Sequence, residues 1–374
     1  MIDCIVIGAG PAGASAAYHL AKRGRSVLIL EQAKLPRYKC CTGAVSPAIA
    51  QWFDFDLSPA IALKVDNIRY TWKLDDPVDV KVMTPEPIWM VERTTFDQFL
   101  VQQAQHQGAE LRDGTEATGI DFKRDHWQVH TADGLLTARY LIAADGATGS
   151  TRQRLGFKPA KQRMGATLEI KSSTVNQSYA QFEFGMVKNG TIWSFPKSEG
   201  YALGVASFRG SEPRELDRSL TDLKSQLGIS ADTSQVFFHP LNLWDGNQKL
   251  HTRNALLVGD AACVCDPLIP EGIRPSILTG VKAAEAIDQA LAGNVEALAG
   301  YSQIIQEEWG ADMIWAQRLA ALFYRVPGLA YQMGIKRPSA TDRISKILCG
   351  QMRYGDIAAY ALKKLSSGLL PGMK

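Results

Sequence analysis

The sequence predicts an α/β fold made of a βαβ-type domain, an antiparallel β-sheet domain and a helical C-terminal region. A strand–turn–helix–strand pattern opens the chain of 374 residues. Two internal stretches alternate apolar and polar residues, which is typical of half-buried strands, and the last part has a helical pattern. The expected boundaries are 1–64, 92–160 and 250–295 for the first domain, 65–91 and 161–249 for the sheet domain, and 296–374 for the helical region.

The opening pattern contains a glycine turn. A short apolar strand at residues 5–7 runs into Gly8-x-Gly10-x-x-Gly13, and a helix over residues 14–22 follows. Gly8 permits the tight turn, Gly10 lets a pyrophosphate approach the backbone, and Gly13 lets the helix pack against the strand. The free N–H groups at the helix start favour a phosphate group. A purely structural glycine turn is the alternative.

A second strand at residues 27–30 completes this unit and ends at Glu31. Because Glu31 lies 18 residues beyond Gly13, its carboxylate is placed to accept hydrogen bonds from a ribose hydroxyl. Ala12 in the turn and Gln32 beside the acid are assigned to the same site. The unit therefore predicts a dinucleotide-binding domain.

Two later strand ends complete a site for FAD. One apolar strand ends in Asp145-Gly146, where an acid and a glycine can lie against the dinucleotide. Another ends in Gly259-Asp260 and precedes a helix. An acid there can accept a ribitol hydroxyl, and the helix N-terminus can face the flavin pyrimidine oxygen. Three segments far apart in the sequence thus fit one cofactor.

This set of segments resembles the FAD-dependent oxidoreductases related to p-hydroxybenzoate hydroxylase, over nearly the whole chain. The resemblance implies a Rossmann-type FAD-binding domain assembled from discontinuous segments, with the antiparallel sheet over the flavin. Arg93 begins a helix that in relatives reaches the cofactor, and an exposed helix-start arginine is the alternative. The loop 266–274 is expected to place backbone N–H groups beside flavin N1 and O2. Its residues assigned to the cofactor are Pro267, Glu271, Gly272 and Ile273.

Within this group the chain resembles the geranylgeranyl reductase family. That family has Pro-x-x-Lys-x-Cys-Gly-Gly-Gly after the first βαβ unit, and residues 36–44 here are Pro-Arg-Tyr-Lys-Cys-Cys-Thr-Gly-Ala. Cys41 matches the family cysteine and is the candidate catalytic residue. An ordinary buried loop cysteine is the alternative. Cys40 has no counterpart and is interpreted as structural. The loop residues assigned to FAD are Lys39, Gly43 and Ala44.

A second family signature, Tyr-x-Trp-x-Phe-Pro followed by Gly-x-Gly, matches in part. Residues 191–196 are Thr-Ile-Trp-Ser-Phe-Pro, and residues 204–206 are Gly-Val-Ala. The resemblance implies that this strand lines an apolar substrate cavity, and aromatic residues that only fill the sheet core are the alternative. The residues assigned to the substrate pocket are Trp193, Phe195, Pro196 and Gly204. The departures from the family patterns are Thr42, Ala44, Thr191 and Pro270.

Composition and charge exclude several classes of partner and site. The net charge of +3 and the lack of a polybasic run predict no nucleic-acid partner. No apolar run reaches the ~18 to 20 residues of a membrane span, and no signal peptide is evident, so we expect a cytosolic protein. The six cysteines do not resemble a disulfide framework, and no Cys or His spacing indicates a metal site or a catalytic histidine. Lys336-Arg337 and Lys363-Lys364 are expected to be solvated helix faces, or contacts to anionic headgroups at a membrane surface.

The resemblance implies an enzyme, an FAD-dependent oxidoreductase that reduces double bonds of an isoprenoid or prenyl substrate by hydride transfer from reduced flavin. One alternative is a flavin-dependent monooxygenase that hydroxylates an aromatic compound or a protein-borne tryptophan during quinone-cofactor maturation. Another is a flavin-containing binding or assembly factor. NAD(P)H or another reductant would bind only transiently, because no second Gly-x-Gly-x-x-Gly follows. The expected partners are a hydrophobic small molecule or lipid, or a protein substrate.

Overall fold

The structure is a computed structural model of the chain. It describes residues 1–172, 177–208, 216–229, 233–246 and 249–366, and the side chains of residues 361–366, including Lys363 and Lys364, lie outside the described part. The strands, in chain order, are β1 Ile2–Ile7, β2 Val27–Glu31, β3 Ala44–Val45, β4 Leu63–Val65, β5 Asn67–Trp72, β6 Asp75–Lys81, β7 Ile88–Met90, β8 Glu110–Asp113, β9 Gly119–Lys123, β10 His126–Thr131, β11 Gly134–Ala143, β12 Arg163–Lys171, β13 Ala180–Phe184, β14 Gly190–Lys197, β15 Gly200–Ser207, β16 Thr233–Leu241, β17 His251–Thr252 and β18 Ala255–Leu257.

The helices follow the same numbering. The α-helices are α1 Pro11–Lys22, α2 Arg93–His106, α3 Thr151–Arg154, α4 Leu216–Gln226, α5 Ile273–Leu291, α6 Ala297–Ile305, α7 Ala311–Arg325, α8 Pro327–Ala330, α9 Pro338–Leu348 and α10 Tyr354–Ser366. Short 3₁₀ turns lie at Pro47–Trp52, Ser58–Ala60 and Gly259–Ala262. Two π-helical turns lie at Gln306–Gly310 and Tyr331–Ile335.

The first sheet has eight strands, in the order β17-β18-β11-β1-β2-β8, and β10 pairs with β11 on one side and with β9 on the other. Strands β18, β11, β1, β2 and β8 pair in parallel, and every residue of β2 is buried. A parallel sheet is covered on both faces, which explains the continuous apolar runs. Helix α1 packs closely against α5. The approach is so close at Gly280 that a Cβ there would lie 2.3 Å from the carbonyl oxygen of Ala12. The predicted Rossmann-type arrangement is confirmed.

The second sheet has seven strands, in the order β16-β12-β15-β14-β13-β5-β6. Its pairs are antiparallel, as predicted, except that β13 and β5 are parallel, with Ala180 opposite Ile68. The exception has a topological reason. Between β5 and β13 the chain runs through α2 and most of the first sheet, and such a long crossover allows parallel pairing, which a hairpin does not.

A third sheet of three short strands, β3-β7-β4, is not among the elements predicted from the sequence. Strands of two or three residues carry no periodicity that a pattern could reveal. This sheet holds the loop of residues 36–44 against the segment before α2, since the Val91 N–H donates to the Gly43 carbonyl oxygen at 2.8 Å. It therefore brings the loop cysteines close to Arg93.

The C-terminal helices contact both large sheets. The Tyr301 hydroxyl of α6 donates to the Leu257 carbonyl oxygen of β18 at 2.7 Å, and the Tyr331 hydroxyl donates to the Asp76 carbonyl oxygen of β6 at 2.7 Å. These bonds fix the helical region as part of one packed molecule. Within the described part of the chain, no helix combines the length and apolar character needed to cross a membrane.

Candidate active site

Three strands of the first sheet end side by side, and each is followed by one of the predicted motifs. In the parallel register Ile7 lies opposite Ala143, and Ala143 lies opposite Leu257. The glycine turn and the two acid-bearing motifs therefore share the carboxyl edge of the sheet, where ligands of open α/β sheets bind. A cleft of about 640 Å³ opens at this edge. Its size suits a cofactor or small-molecule site.

The glycine turn forms one wall of the cleft. Gly8 has a φ of 109°, and a Cβ there would lie 2.3 Å from the Ala144 carbonyl oxygen, so only glycine fits. A Cβ on Gly10 would have its nearest neighbour, an Arg37 guanidinium nitrogen, at 3.7 Å, so this backbone is open to the cleft. Gly10 is also the N-cap of α1, and no side chain caps that helix. Such a helix start suits an anionic phosphate.

Glu31 lies in the cleft wall and is nearly buried. Its carboxylate accepts backbone N–H groups of Ala9 at 3.0 Å and Ala33 at 3.1 Å, and Arg37 Nε lies 3.1 Å away. A carboxylate has about four acceptor positions, so one remains for a ribose hydroxyl. Arg37 also pairs with Asp97 at 2.9 Å. The sequence gives no sign of this arginine's role, because its second partner lies 60 positions away.

Arg93 is 11% exposed, so the alternative of an exposed helix-start arginine is wrong. Its guanidinium donates to both carboxylate oxygens of Asp97, at 2.7 and 2.8 Å. Burial opposes the positive charge, but the carboxylate of Asp97 outweighs it and raises the pKa of Arg93. Cys41 lies beside this cation in the half-buried loop, where its Sγ accepts the Gly43 N–H at 3.4 Å. The arrangement places a permanent positive charge beside the candidate catalytic thiol.

Asp145 supplies an acceptor that the protein itself does not use. Its Oδ2 accepts the Thr151 N–H at 2.8 Å, which fixes the side chain. Its Oδ1 is buried and has no hydrogen-bond partner within the described part of the chain. Gly149 packs against it, since a Cβ there would lie 2.0 Å from the Asp145 carboxylate carbon. A buried acceptor of this kind, in a cleft wall, suits a hydroxyl or amide donor of a ligand.

The start of α5 forms the opposite wall. The helix follows Gly272, which has no side-chain cap. Glu271 pairs with Arg274 at 2.8 Å through Oε2, whereas its buried Oε1 has no partner among the described residues. Burial raises the pKa of Asp260, and the charges of Lys39 and Arg93 act in the opposite direction. The uncapped N–H groups and these cations suit a negatively charged flavin ring.

The other end of the cleft is apolar and includes Trp193, Phe195 and Phe182. The Trp193 indole N–H donates to the Thr42 hydroxyl at 3.0 Å. A Cβ at Gly204, which lies opposite Trp193 in the β14–β15 pair, would be 2.2 Å from the indole ring. Thr42 and Gly204 therefore position Trp193, so the aromatic side chains border the cleft as well as packing in the sheet core.

Cys40 and His239, neither of which is predicted from the sequence to take part in the chemistry, meet on the cleft wall. Their Sγ and Nδ1 atoms are 3.3 Å apart. Burial raises the pKa of the Cys40 thiol, and burial together with the charge of Lys39 lowers the pKa of His239 to about 4. Near neutral pH both groups are uncharged, so the thiol can donate to Nδ1. The pair leaves no sequence signal, because 199 positions separate the two residues.

Most of the predicted residues line the cleft. They are Gly8, Gly10, Ala12, Glu31, Gln32, Lys39, Cys41, Ala44, Arg93, Asp145, Gly146, Trp193, Phe195, Gly259, Asp260, Glu271, Gly272 and Ile273. The predicted residues that do not line the cleft are Gly13, Gly43, Pro196, Gly204 and Pro267. Gly13 packs helix on strand, since a Cβ there would lie 2.0 Å from the Gly8 carbonyl oxygen. Pro196 follows Phe195 and faces the other side of its strand.

The residues present fit FAD. Along one polar cleft, two helix starts supply hydrogen-bond donors, and Glu31 with two buried carboxylate oxygens supplies acceptors. Among the described residues, no side chain caps these helix starts and no group bonds to these two oxygens. Glu31 and the Gly10 backbone would hold the nucleotide, and Asp260 with the α5 start would hold the flavin end.

Comparisons with known proteins agree with this assignment. Residues 3–74 match the family described as FAD dependent oxidoreductase, and residues 62–304 match the family described as FAD binding domain. The digeranylgeranylglycerophospholipid reductase of Methanosarcina mazei is 27% identical over 332 residues, covering 82% of this chain and 80% of that protein. The menaquinone reductase of Mycobacterium tuberculosis is 29% identical over 349 residues, covering 86% and 83%.

A solved structure shows the same fold. It is a geranylgeranyl bacteriochlorophyll reductase-like protein from Thermoplasma acidophilum, with a TM-score of 0.76 and 23% identity over 94% of this chain and 92% of that one. The predicted resemblance to the geranylgeranyl reductases is confirmed. The chain belongs to the FAD binding domain family and is an FAD-dependent oxidoreductase.

Proposed function

We propose that this oxidoreductase saturates carbon–carbon double bonds in the isoprenoid chain of a lipid. One observation carries the proposal: a single cleft has a polar part that fits FAD and an apolar end bordered by Phe182, Trp193 and Phe195. The two relatives described above are reductases whose names specify a digeranylgeranylglycerophospholipid and a menaquinone. Both compounds carry an isoprenoid chain, which an apolar cavity would accept.

The reaction divides the work between cofactor and protein. Bound, reduced FAD supplies a hydride to one alkene carbon, and the adjacent carbon needs a proton. The Cys40 thiol keeps its proton near neutral pH and lies in the same cleft, with His239 beside it. Trp193, held by Thr42, is placed to orient an apolar chain and to exclude water. Lys39 and Arg93 add positive charge on the polar side.

The source of electrons is part of the proposal. We infer that NAD(P)H or another reductant reaches the FAD transiently and leaves before the lipid is reduced, because the Gly-x-Gly-x-x-Gly pattern occurs once, at Gly8 to Gly13. A stopped-flow comparison of NADH, NADPH and dithionite would identify the donor from the loss of the oxidised flavin absorbance.

The test uses FAD-loaded protein that has been reduced anaerobically and is then mixed with a geranylgeranyl glycerophospholipid. The fully saturated analogue of the same lipid is the matched control. We expect the oxidised flavin absorbance to return only with the unsaturated lipid, and the product to gain two hydrogens for each turnover. Equal rates with both lipids would refute the proposal, as would unchanged masses of both the geranylgeranyl lipid and menaquinone.

A second arm mixes the same reduced protein with oxygen and an aromatic compound. Flavin reoxidation that requires oxygen, together with a product that gains one oxygen atom, would favour the monooxygenase alternative. A tryptophan-bearing protein substrate would then be the next compound to test. Slow reoxidation under every condition, with FAD still tightly bound, would favour a binding or assembly factor.

A further inference from the structure

The C-terminal helices carry an apolar stripe on the outside of the molecule. Leu322, Val326, Leu329 and Met333 are 64%, 43%, 58% and 53% exposed, and these four residues are called the stripe below. All four lie within one short stretch that runs from the end of α7 through α8 into the π-helical turn, and they alternate there with buried Tyr324 and Tyr331. Large exposed side chains grouped in this way indicate an interaction surface, unlike scattered surface residues.

The opposite side of the segment is buried and fixes the stripe facing outward. Tyr324 and Tyr331 are both buried. The Tyr331 hydroxyl lies 3.1 Å from the Tyr70 carbonyl oxygen of β5 and 2.7 Å from the Asp76 carbonyl oxygen of β6, and it donates to these backbone acceptors. The Tyr324 and Thr191 hydroxyls are 2.8 Å apart. Because these bonds tie the inner face to the second sheet, the stripe cannot turn inward without breaking them.

Positive charge accompanies the stripe. Arg325 and Arg337 are exposed, and neither has an ion pair within the residues that the structure describes, whereas Lys336 is paired with Asp76 at 2.7 Å. Residues 318–346 contain six Lys and Arg and one acidic residue, a net charge of +5. The whole chain has a net charge of +3, so the remainder carries −2. The basic excess of the protein is therefore concentrated in this segment.

We propose that the stripe and the two arginines dock on the surface of a membrane that contains anionic lipids. Apolar side chains enter the boundary between headgroups and acyl chains, and arginines bind phosphate groups strongly. Charge decides between this occupant and a second copy of the chain. Including the Asp76 carboxylate that pairs with Lys336 lowers the net charge of the segment and its partner from +5 to +4. Two copies docked through this segment would bring like charges together, whereas an anionic surface complements them.

The position of the stripe gives the docking a consequence for the cleft. Tyr324, Tyr331 and Ile335, on the inner side of the segment, belong to the apolar cluster that also contains Trp193 and Phe195. The stripe thus lies on the outer side of an apolar cluster that includes aromatic residues at the apolar end of the cleft. If the substrate is a lipid, docking through the stripe would bring the apolar end of the cleft toward the bilayer that contains it. That last point rests on the proposed function, but the docking itself does not.

Flotation with lipid vesicles tests the docking directly. FAD-loaded protein is mixed with vesicles of phosphatidylcholine alone, or of equal parts phosphatidylcholine and phosphatidylglycerol, at about 0.1 M salt. We expect the protein to float with the anionic vesicles, and the bound fraction to fall about tenfold on neutral vesicles. On anionic vesicles, the bound fraction of the triple variant Leu322→Ser/Leu329→Ser/Met333→Ser should also be about tenfold lower than that of the wild type. The same decrease is expected for Arg325→Glu/Arg337→Glu.

Two matched variants control for general changes in surface character. Leu135→Ser/Val295→Ser removes apolar side chains that are 50% and 86% exposed elsewhere on the molecule. Lys123→Glu/Arg124→Glu reverses two positive charges on the β9–β10 hairpin, as Arg325→Glu/Arg337→Glu does beside the stripe. Both should float like the wild-type protein. Equal losses in these controls, or no flotation of the wild type, would overturn the docking. So would a dimer without vesicles that the triple variant abolishes, since a second copy would then cover the stripe.

Discussion

At the scale of single residues, the Cys40–His239 pair is the part of the cleft best suited to hold a transferable proton. The two side chains are 3.3 Å apart and come from elements that are distant in sequence. A Cβ at Gly165, opposite His239 in the β12–β16 pair, would lie 3.2 Å from the imidazole, so glycine leaves the ring its space. Sequence resemblance points to Cys41 instead, and the structure places both thiols on the cleft wall.

Single substitutions can separate the two thiols. Cys40→Ala and His239→Gln should each slow lipid-dependent reoxidation of reduced FAD about 100-fold, because a positioned acid contributes on that scale. Dithionite reduction and FAD content should stay unchanged. Cys41→Ala is the matched variant, and we expect a smaller effect from it. Stopped-flow absorbance reports all three rates, and a loss confined to Cys41→Ala would assign the proton to the cysteine that the sequence resemblance favours.

A second residue-scale prediction concerns the bond between Trp193 and Thr42. Thr42→Val leaves the buried indole N–H without a partner, which should lower the free energy of unfolding by about 1 to 2 kcal/mol. In a Trp193→Phe background there is no N–H to satisfy, so Thr42→Val should cost about 1 kcal/mol less there. Urea denaturation of the four proteins of this cycle measures the difference. Equal costs in both backgrounds would show that the bond contributes nothing.

At the scale of secondary-structure elements, the contact between α1 and α5 holds the two helix starts of the cleft in register. Gly280→Ala would place a Cβ 2.3 Å from the Ala12 carbonyl oxygen and push the helices apart. FAD affinity should fall more than about tenfold, because both uncapped helix starts move. Gly300→Ala is the matched control, since among the described residues no atom outside its own helical turn would lie within 4 Å of the added Cβ. That change should stabilise α6 by up to about 1 kcal/mol and leave FAD binding unchanged.

The elements differ in how far the sequence alone could predict them. The βαβ unit was predictable because Gly8 and the apolar runs of β1 and β2 are local signals. The three-stranded sheet and the parallel pairing of β5 with β13 were not, because both depend on contacts between distant segments. The site divides in the same way. Residues within a motif, such as Asp145, could be assigned, whereas Arg37 and His239 depend on tertiary contacts that no local pattern encodes.

At the scale of the whole molecule, two partly buried histidines and two buried acids act on the folding stability in opposite directions over one pH range. Burial lowers the pKa of His19 and His239 to about 4, and burial raises the pKa of Glu183 and Asp266 to about 7. Between about pH 4 and 6.5 the unfolded chain binds more protons at the histidines, so their contribution to stability increases as pH rises. Over about pH 4 to 7 the folded chain binds more protons at the two acids, so their contribution decreases as pH rises.

Over about pH 5 to 6.5 the contributions of these four groups to folding stability therefore largely cancel one another in the wild-type protein. His19→Gln/His239→Gln removes the first pair, so stability should then fall with rising pH. The slope could reach about 1.4 kcal/mol per pH unit for each acid that remains. Glu183→Gln/Asp266→Asn should give the opposite slope. Denaturant unfolding of the FAD-saturated proteins measures the three profiles. Parallel profiles would mean that these groups have similar proton affinities in the folded and unfolded chain, and the balance would then lie in other residues.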